Sequence, residues 1–239
     1  NARLDVVGAL VEAGSGKLQA LLSEAGDLER VGARIGLGTS RPKDMMVLRS
    51  ALAAAPQIKA ELEATGDAAL KHAAEGVVPL PDVLDLLNRA IAEVPSTFIR
   101  DGGVIADGYS EELDSLRALM SGSGDMLARL EEKEREETGI QALRVGFNSV
   151  SGYYIEMPRS QGANAPERYH RKQTLKNVER YTTPELRELE EKALNAKERS
   201  LELEKELYDD LLQKLRARLE GITSLASALS KIDALASFA

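Results

Sequence analysis

The stretch TTPELRELEEKALNAKERSLELEKELYDDLLQKLRARLE, residues 182–220, constrains the fold of this chain more than any other. Thr183 is placed to cap a helix, Pro184 suits a first helical position, and Glu185 favours the positive end of the helix dipole. From there Leu186, Leu189, Ala193, Ala196, Ser200, Leu203, Leu207, Leu211 and Leu215 recur at 3-4 spacing. That spacing lays one stripe along a helix and asks another helix to cover it, and the small residues in its middle permit close approach. At 1.5 Å per residue, 184–212 alone spans about 40 Å, long beside the three or four turns of an ordinary globular helix.

A matching stripe begins after Glu111 with Leu113, Leu116, Met120, Leu127 and Leu130, then reaches Glu134 and Glu137 inside EEKEREE. The acidic run Glu131–Glu137 is therefore expected to be a solvated face. Between the two stripes, LRVGFNSVSGYYIEM alternates Leu143, Val145, Phe147 and then Tyr153, Ile155, Met157, the period of a β-hairpin. A polar loop, PRSQGANAPE, leads to a third extended run, RYHRKQT. Residues 1–100 read as short helices (DLERVGARI, KDMMVLRSALAAAPQIKAELEA, PDVLDLLNRAIAEV) bounded by Pro42, Pro79, Pro81 and Pro95, with RDGGVIADGY as a turn-rich loop after them. The expected fold is mainly α: a helical core with two long antiparallel helices carrying a small inserted β-rich head at about 140–181.

Leu, Ala, Glu, Lys and Arg dominate, and only 4% of the 239 residues are aromatic, a helix-rich composition. The absence of Cys excludes disulfides and thiolate chemistry and fits a reducing compartment, the cytoplasm by default. No uninterrupted apolar run approaches membrane-spanning length, and NARLDVVGAL lacks the features of a signal peptide, so no membrane role is expected. The start on Asn and the stop at LASFA read as those of a piece cut from a longer protein.

Charge is unevenly placed. Between Leu143 and Tyr181 stand seven basic residues, Arg144, Arg159, Arg168, Arg171, Lys172, Lys176 and Arg180, against Glu156, Glu167 and Glu179, in a chain whose net charge is −8. A cationic head on an acidic body suits an anionic partner, and the interspersed Asn, Gln, Ser and Thr suit phosphate oxygens. Nothing there forms a recognition helix, and Tyr153, Tyr154, Tyr169 and Tyr181 suit the core of the head better than base stacking. The residues point to contact with a nucleic-acid backbone, while leaving open a helical coiled-coil scaffold for protein–protein interaction whose head is a solvated cap.

Catalytic chemistry finds no candidates. GSGK at residues 14–17 has Val11 and Leu18 where a phosphate-binding loop needs Gly and Ser or Thr, so it reads as a turn between helices. His72 and His170 are too isolated to seed a metal site or a catalytic triad.

VGFNSVSGYYIEM and YHRKQTLKNVERYTTPELRELEEKALNAKERSLELEKELY, with GDLERVGARIGLGTSRPKDMMVLRSAL and IRDGGVIADGYSEELDSLRAL, closely resemble the bacterial MutS family of DNA mismatch-recognition proteins. The resemblance implies a core or lever domain at 1–123, a clamp domain at 124–183, and a lever helix returning to the core at 184–239. Clamps of this family close on duplex DNA in a dimer and contact its backbone without reading sequence. The match to QTLKN carries that role to Gln173, Thr174, Lys176 and Asn177; the match at FNSVSG and its following loop carries it to Asn148, Ser149, Ser151, Arg159 and Gln161. Arg171, Lys172 and Arg180 join on charge and position. Ser151 stands where family members often have a larger residue, and the PRSQGANAPE loop is this chain's own.

The family's Phe-x-Glu mismatch wedge has no counterpart: Phe98 and Phe147 are followed two residues on by Arg100 and Ser149, and Phe238 by nothing. With no phosphate-binding loop either, this piece is expected not to be an enzyme and to need no cofactor. ATP and Mg, a homodimer and downstream mismatch-repair proteins belong to the full-length protein by resemblance, which also implies a bacterial, cytoplasmic protein associated with the nucleoid when on DNA.

Overall fold

The computed structural model describes residues 2–121, 123–148 and 152–239, and the chain divides into two units, 1–109 with 203–239, and 110–202. The first unit holds α1 (Ala2–Ala13), α2 (Gly16–Ala25), α3 (Leu28–Leu37), α4 (Pro42–Ala64), α5 (Ala68–Glu75) and α6 (Pro81–Ala90). Their ends obey local chemistry. Asp27 and Asp67 accept the first free N–H groups of α3 and α5, Pro42 and Pro81 open α4 and α6, and Gly38 in the left-handed region closes α3. Gly14 and Ser15 of GSGK break the chain between α1 and α2, and Gly16 and Lys17 open α2.

α4 packs against α2, α3, α5 and α6 through fully buried Met45, Leu48, Ile58 and their neighbours. The expected helix over residues 81–94 stops at Ala90, because Ile91 leaves it to bridge Ile105 in extended backbone. That bridge orders the glycine-rich loop after residue 100.

The second unit begins with α7 (Glu111–Ser121) and α8 (Ser123–Thr138) and continues through a four-stranded antiparallel sheet. Its strands are β1 (Arg144–Asn148), β2 (Gly152–Pro158), β3 (His170–Thr174) and β4 (Val178–Thr182), in spatial order β1-β2-β4-β3. A short 3-10 helix, Arg159–Asn164, follows β2. The hairpin and the third extended run are as expected, but β4 was not. Its inward positions are Glu179 and Tyr181, both buried, and the buried carboxylate breaks the apolar alternation that announces a strand.

α9 (Pro184–Arg216) contributes to both units, the first from Leu203 onward, and α10 (Leu219–Ala236) ends the chain within the first unit. The Thr183 hydroxyl accepts the Leu186 N–H at 3.2 Å, so the cap read from the sequence is made. Within the second unit Glu112 pairs with Arg199 and Lys133 with Glu185, so α7 and α8 run antiparallel to the first half of α9. Of the α9 stripe, Leu186, Ala196, Ser200, Leu203, Leu211 and Leu215 are buried and Leu189, Ala193 and Leu207 half-buried. In the first unit the stripe widens: Tyr208 donates to Ser40 O at 3.2 Å, Arg216 to Ile35 O at 3.1 Å, and buried Glu204 accepts the N–H groups of Gly103 and Val104 at 2.9 and 3.1 Å. No helix among the described residues is long and apolar enough to cross a membrane.

Candidate nucleic-acid interface

The period of two gives the sheet two faces. Tyr153, Ile155 and Met157 of β2 and Tyr181 of β4 turn inward to a core completed by Ile140, Leu143, Tyr169 and Leu186, with Leu127, Leu130 and Leu189 against it. The tyrosines thus build the head, as expected; Tyr154 alone turns to the outer face and is half-buried. On that outer face one row crosses all four strands: Arg144 opposite Glu156, Glu156 opposite Arg180, Arg180 opposite Gln173.

Contacts join α8 to the sheet where the sequence suggested solvent. Glu134 is 1% exposed; its Oε2 accepts from the Tyr169 hydroxyl and from Arg168, each at 2.6 Å, and Arg168 also reaches Glu137 at 2.6 Å. Glu131 accepts the Val145 N–H at 2.8 Å and pairs with Arg135. The acidic run is therefore the seat of the sheet as well as a solvated face. Burial, and then the Glu134 hydrogen bond, push the Tyr169 hydroxyl well above its ordinary pKa. Glu134 occupies the position that the 3-4 repeat gives to an inward-facing residue, but its acidic neighbours Glu131, Glu132, Glu136 and Glu137 hide this in the sequence.

The candidate contact residues fall into three groups. At one end of the sheet, Leu175 N–H donates to Val178 O at 2.9 Å and closes the turn between β3 and β4, which exposes Lys176 and Asn177 beside exposed Thr174. The Arg159 N–H donates to Asn177 O at 3.0 Å, bringing the loop after β2 to the same turn. Gln161 is half-buried there, and its Oε1 is buried without a hydrogen-bond partner among the described residues.

At the other end, Asn148 faces Gly152 across β1 and β2; Ser149 and Ser151 lie outside the described residues. Six steps of about 3.3 Å along β2 put this end roughly 20 Å from the first. Gly152 has positive φ, which disfavours any side chain there, and a Cβ would also have to displace the Glu190 carboxylate of α9.

The third group lines edge strand β3, all of whose residues are exposed. A bulge between Arg171 and Gln173 makes Lys172 the extra residue, re-aiming the strand's side chains. Arg171 pairs with buried Glu179 at 3.3 Å, and Lys172 with Glu190 at 3.7 Å. Arg180 is only 19% exposed at its side chain, pairs with Glu156 at 2.8 Å and lies 4.2 Å above the Tyr154 ring centroid.

Much of the head's cationic charge is thus neutralised internally. Arg144, Arg159 and Lys176 have no ion pair among the described residues, and two of these three stand at the β3–β4 turn. That turn offers cations and amide donors to an anion, without a helix to enter a groove. No group of three or more His, Cys, Asp or Glu among the described residues is arranged to hold a metal ion. Residues 108–199, which include α7, α8 and the whole sheet of the second unit, match the model of MutS family domain IV, a domain associated with DNA mismatch repair and DNA binding.

Proposed function

We propose that the second unit is a clamp that holds the backbone of duplex DNA without reading its sequence, within a non-catalytic core and clamp region of a MutS-type mismatch-repair protein. The observation that carries this is the β3–β4 turn, where Arg159 and Lys176 lie exposed and without ion pairs among the described residues, flanked by Thr174 and Asn177. Such a surface neutralises phosphates and carries no base code. Arg171, Lys172 and Arg180, each tied to a carboxylate of the chain, orient the turn and its edge strand and add to the local potential. α9, about 50 Å of helix whose residues belong to both units, is the element suited to carry clamp position to the rest of the molecule. Closure as a homodimer, mismatch reading, the ATPase with its ATP and Mg, and contacts with downstream repair proteins belong to further parts of the full-length protein.

The test is fluorescence anisotropy of a labelled duplex titrated with this chain at low and moderate salt. Binding on the order of 10⁻⁴ to 10⁻⁶ M near physiological salt is expected, weakening steeply as salt rises. The variant Arg159→Glu/Lys176→Glu, checked for folding by circular dichroism, should lose it. A folded double variant that binds like the unmodified chain would sink the backbone reading and favour the scaffold.

A further inference from the structure

The outer face of the sheet holds a cation that is already matched by an acid. Arg180 sits at its centre: Nε donates to Glu156 Oε2 at 2.8 Å, one terminal nitrogen donates to Gln173 Oε1 at 3.3 Å, and the guanidinium lies over Tyr154. Tyr154 is itself seated, since a Cβ on Gly146 would meet its hydroxyl oxygen at 3.1 Å. Three of the four groups in this cluster are neutral or cationic. Glu156 is its one anion, 26% exposed at its side chain, and directly opposite it on β1 is Arg144, which has no ion pair among the described residues.

A guanidinium has five donors, and two of them are used by described partners here. The remainder suffice for a phosphate, and Gln173 and Tyr154 hold the group in place without help from Glu156. The Glu156 charge works against an incoming anion twice: it repels the anion, and it already satisfies the cation the anion would seek.

We propose that Glu156 is an intramolecular counter-ion that masks a second phosphate-contact surface, formed by Arg180 and Arg144 on the outer face of the sheet, and so sets the clamp's affinity for an anionic backbone. This rests on the backbone-binding reading above and adds a residue that weakens it.

The comparison is between the unmodified chain, Glu156→Gln, Glu156→Gln/Arg180→Gln, and Glu167→Gln, each titrated against a labelled duplex over a range of salt. Glu167 is exposed in the turn before β3, outside the sheet row that holds Glu156, Arg180 and Gln173, so its variant makes the same charge change off that row. Glu156→Gln should tighten binding by on the order of threefold and steepen the salt dependence of log K by about 0.9, one more phosphate neutralised. The added Arg180→Gln change should abolish that gain, and Glu167→Gln should stay close to the unmodified chain. The proposal is overturned if Glu156→Gln binds unchanged while Lys176→Glu weakens binding, if Glu167→Gln tightens equally, or if the gain survives loss of Arg180. Failure of the unmodified chain to bind duplex at low salt would instead remove the backbone reading, and this proposal with it.

Discussion

Glu134 shows how much one buried carboxylate decides. It joins α8 to the start of β3 through Tyr169 and Arg168, at a cost in desolvation that only good partners offset. The pairing has a pH signature. Because the Tyr169 pKa is raised in the fold by burial and by Glu134, the folded chain holds this proton more tightly than the unfolded chain does. The resulting stability is full below about pH 10, the unfolded tyrosine value, and is lost as pH rises above it. Melting temperatures between about pH 8 and 11 should fall for the unmodified chain and fall less steeply for Tyr169→Phe. Parallel slopes would show that this hydroxyl is not linked to stability.

At the scale of elements, α9 owes its start to local chemistry and its middle to tertiary contacts. Thr183→Ala removes the cap and should cost about 1 kcal/mol. Glu204→Ala should cost more, about 2 kcal/mol or above, since it strands the N–H groups of Gly103 and Val104, the latter bond being fully buried. Urea unfolding followed at 222 nm separates the two, and a Glu204→Ala chain less destabilised than Thr183→Ala would mean that water replaces the carboxylate. The bulge in β3 is a second element-scale decision: one extra residue sends Lys172 toward Glu190 of α9 and keeps the strand's exposed edge charged.

For the whole molecule, the relevant expectation is indifference. A clamp that touches phosphates only should bind matched and mismatched duplexes alike, and the −8 net charge should confine attraction to the head. Competition between labelled matched and unlabelled mismatched duplex checks this: equal competition is expected, and a clear preference for the mismatch would require a base-reading surface that the candidate residues do not supply.

By itself the sequence determined the starts of α6 and α9, the α9 stripe, the β1–β2 hairpin, the tyrosine core and the cationic character of the head. These follow from periodicity, capping and composition, which act over a few residues and leave their mark in order along the chain. Only the tertiary structure decided that Glu134 and Glu179 are buried, that Asn148 and Asn177 lie at opposite ends of one sheet, and that Arg168, Arg171, Lys172 and Arg180 are matched by acids while Arg159 and Lys176 lack ion pairs among the described residues. A charge written in sequence has a sign but no partner. For these four cations the partner stands up to 34 residues away, as Glu134 does from Arg168, and pairing rather than count sets how much of the charge a phosphate can reach.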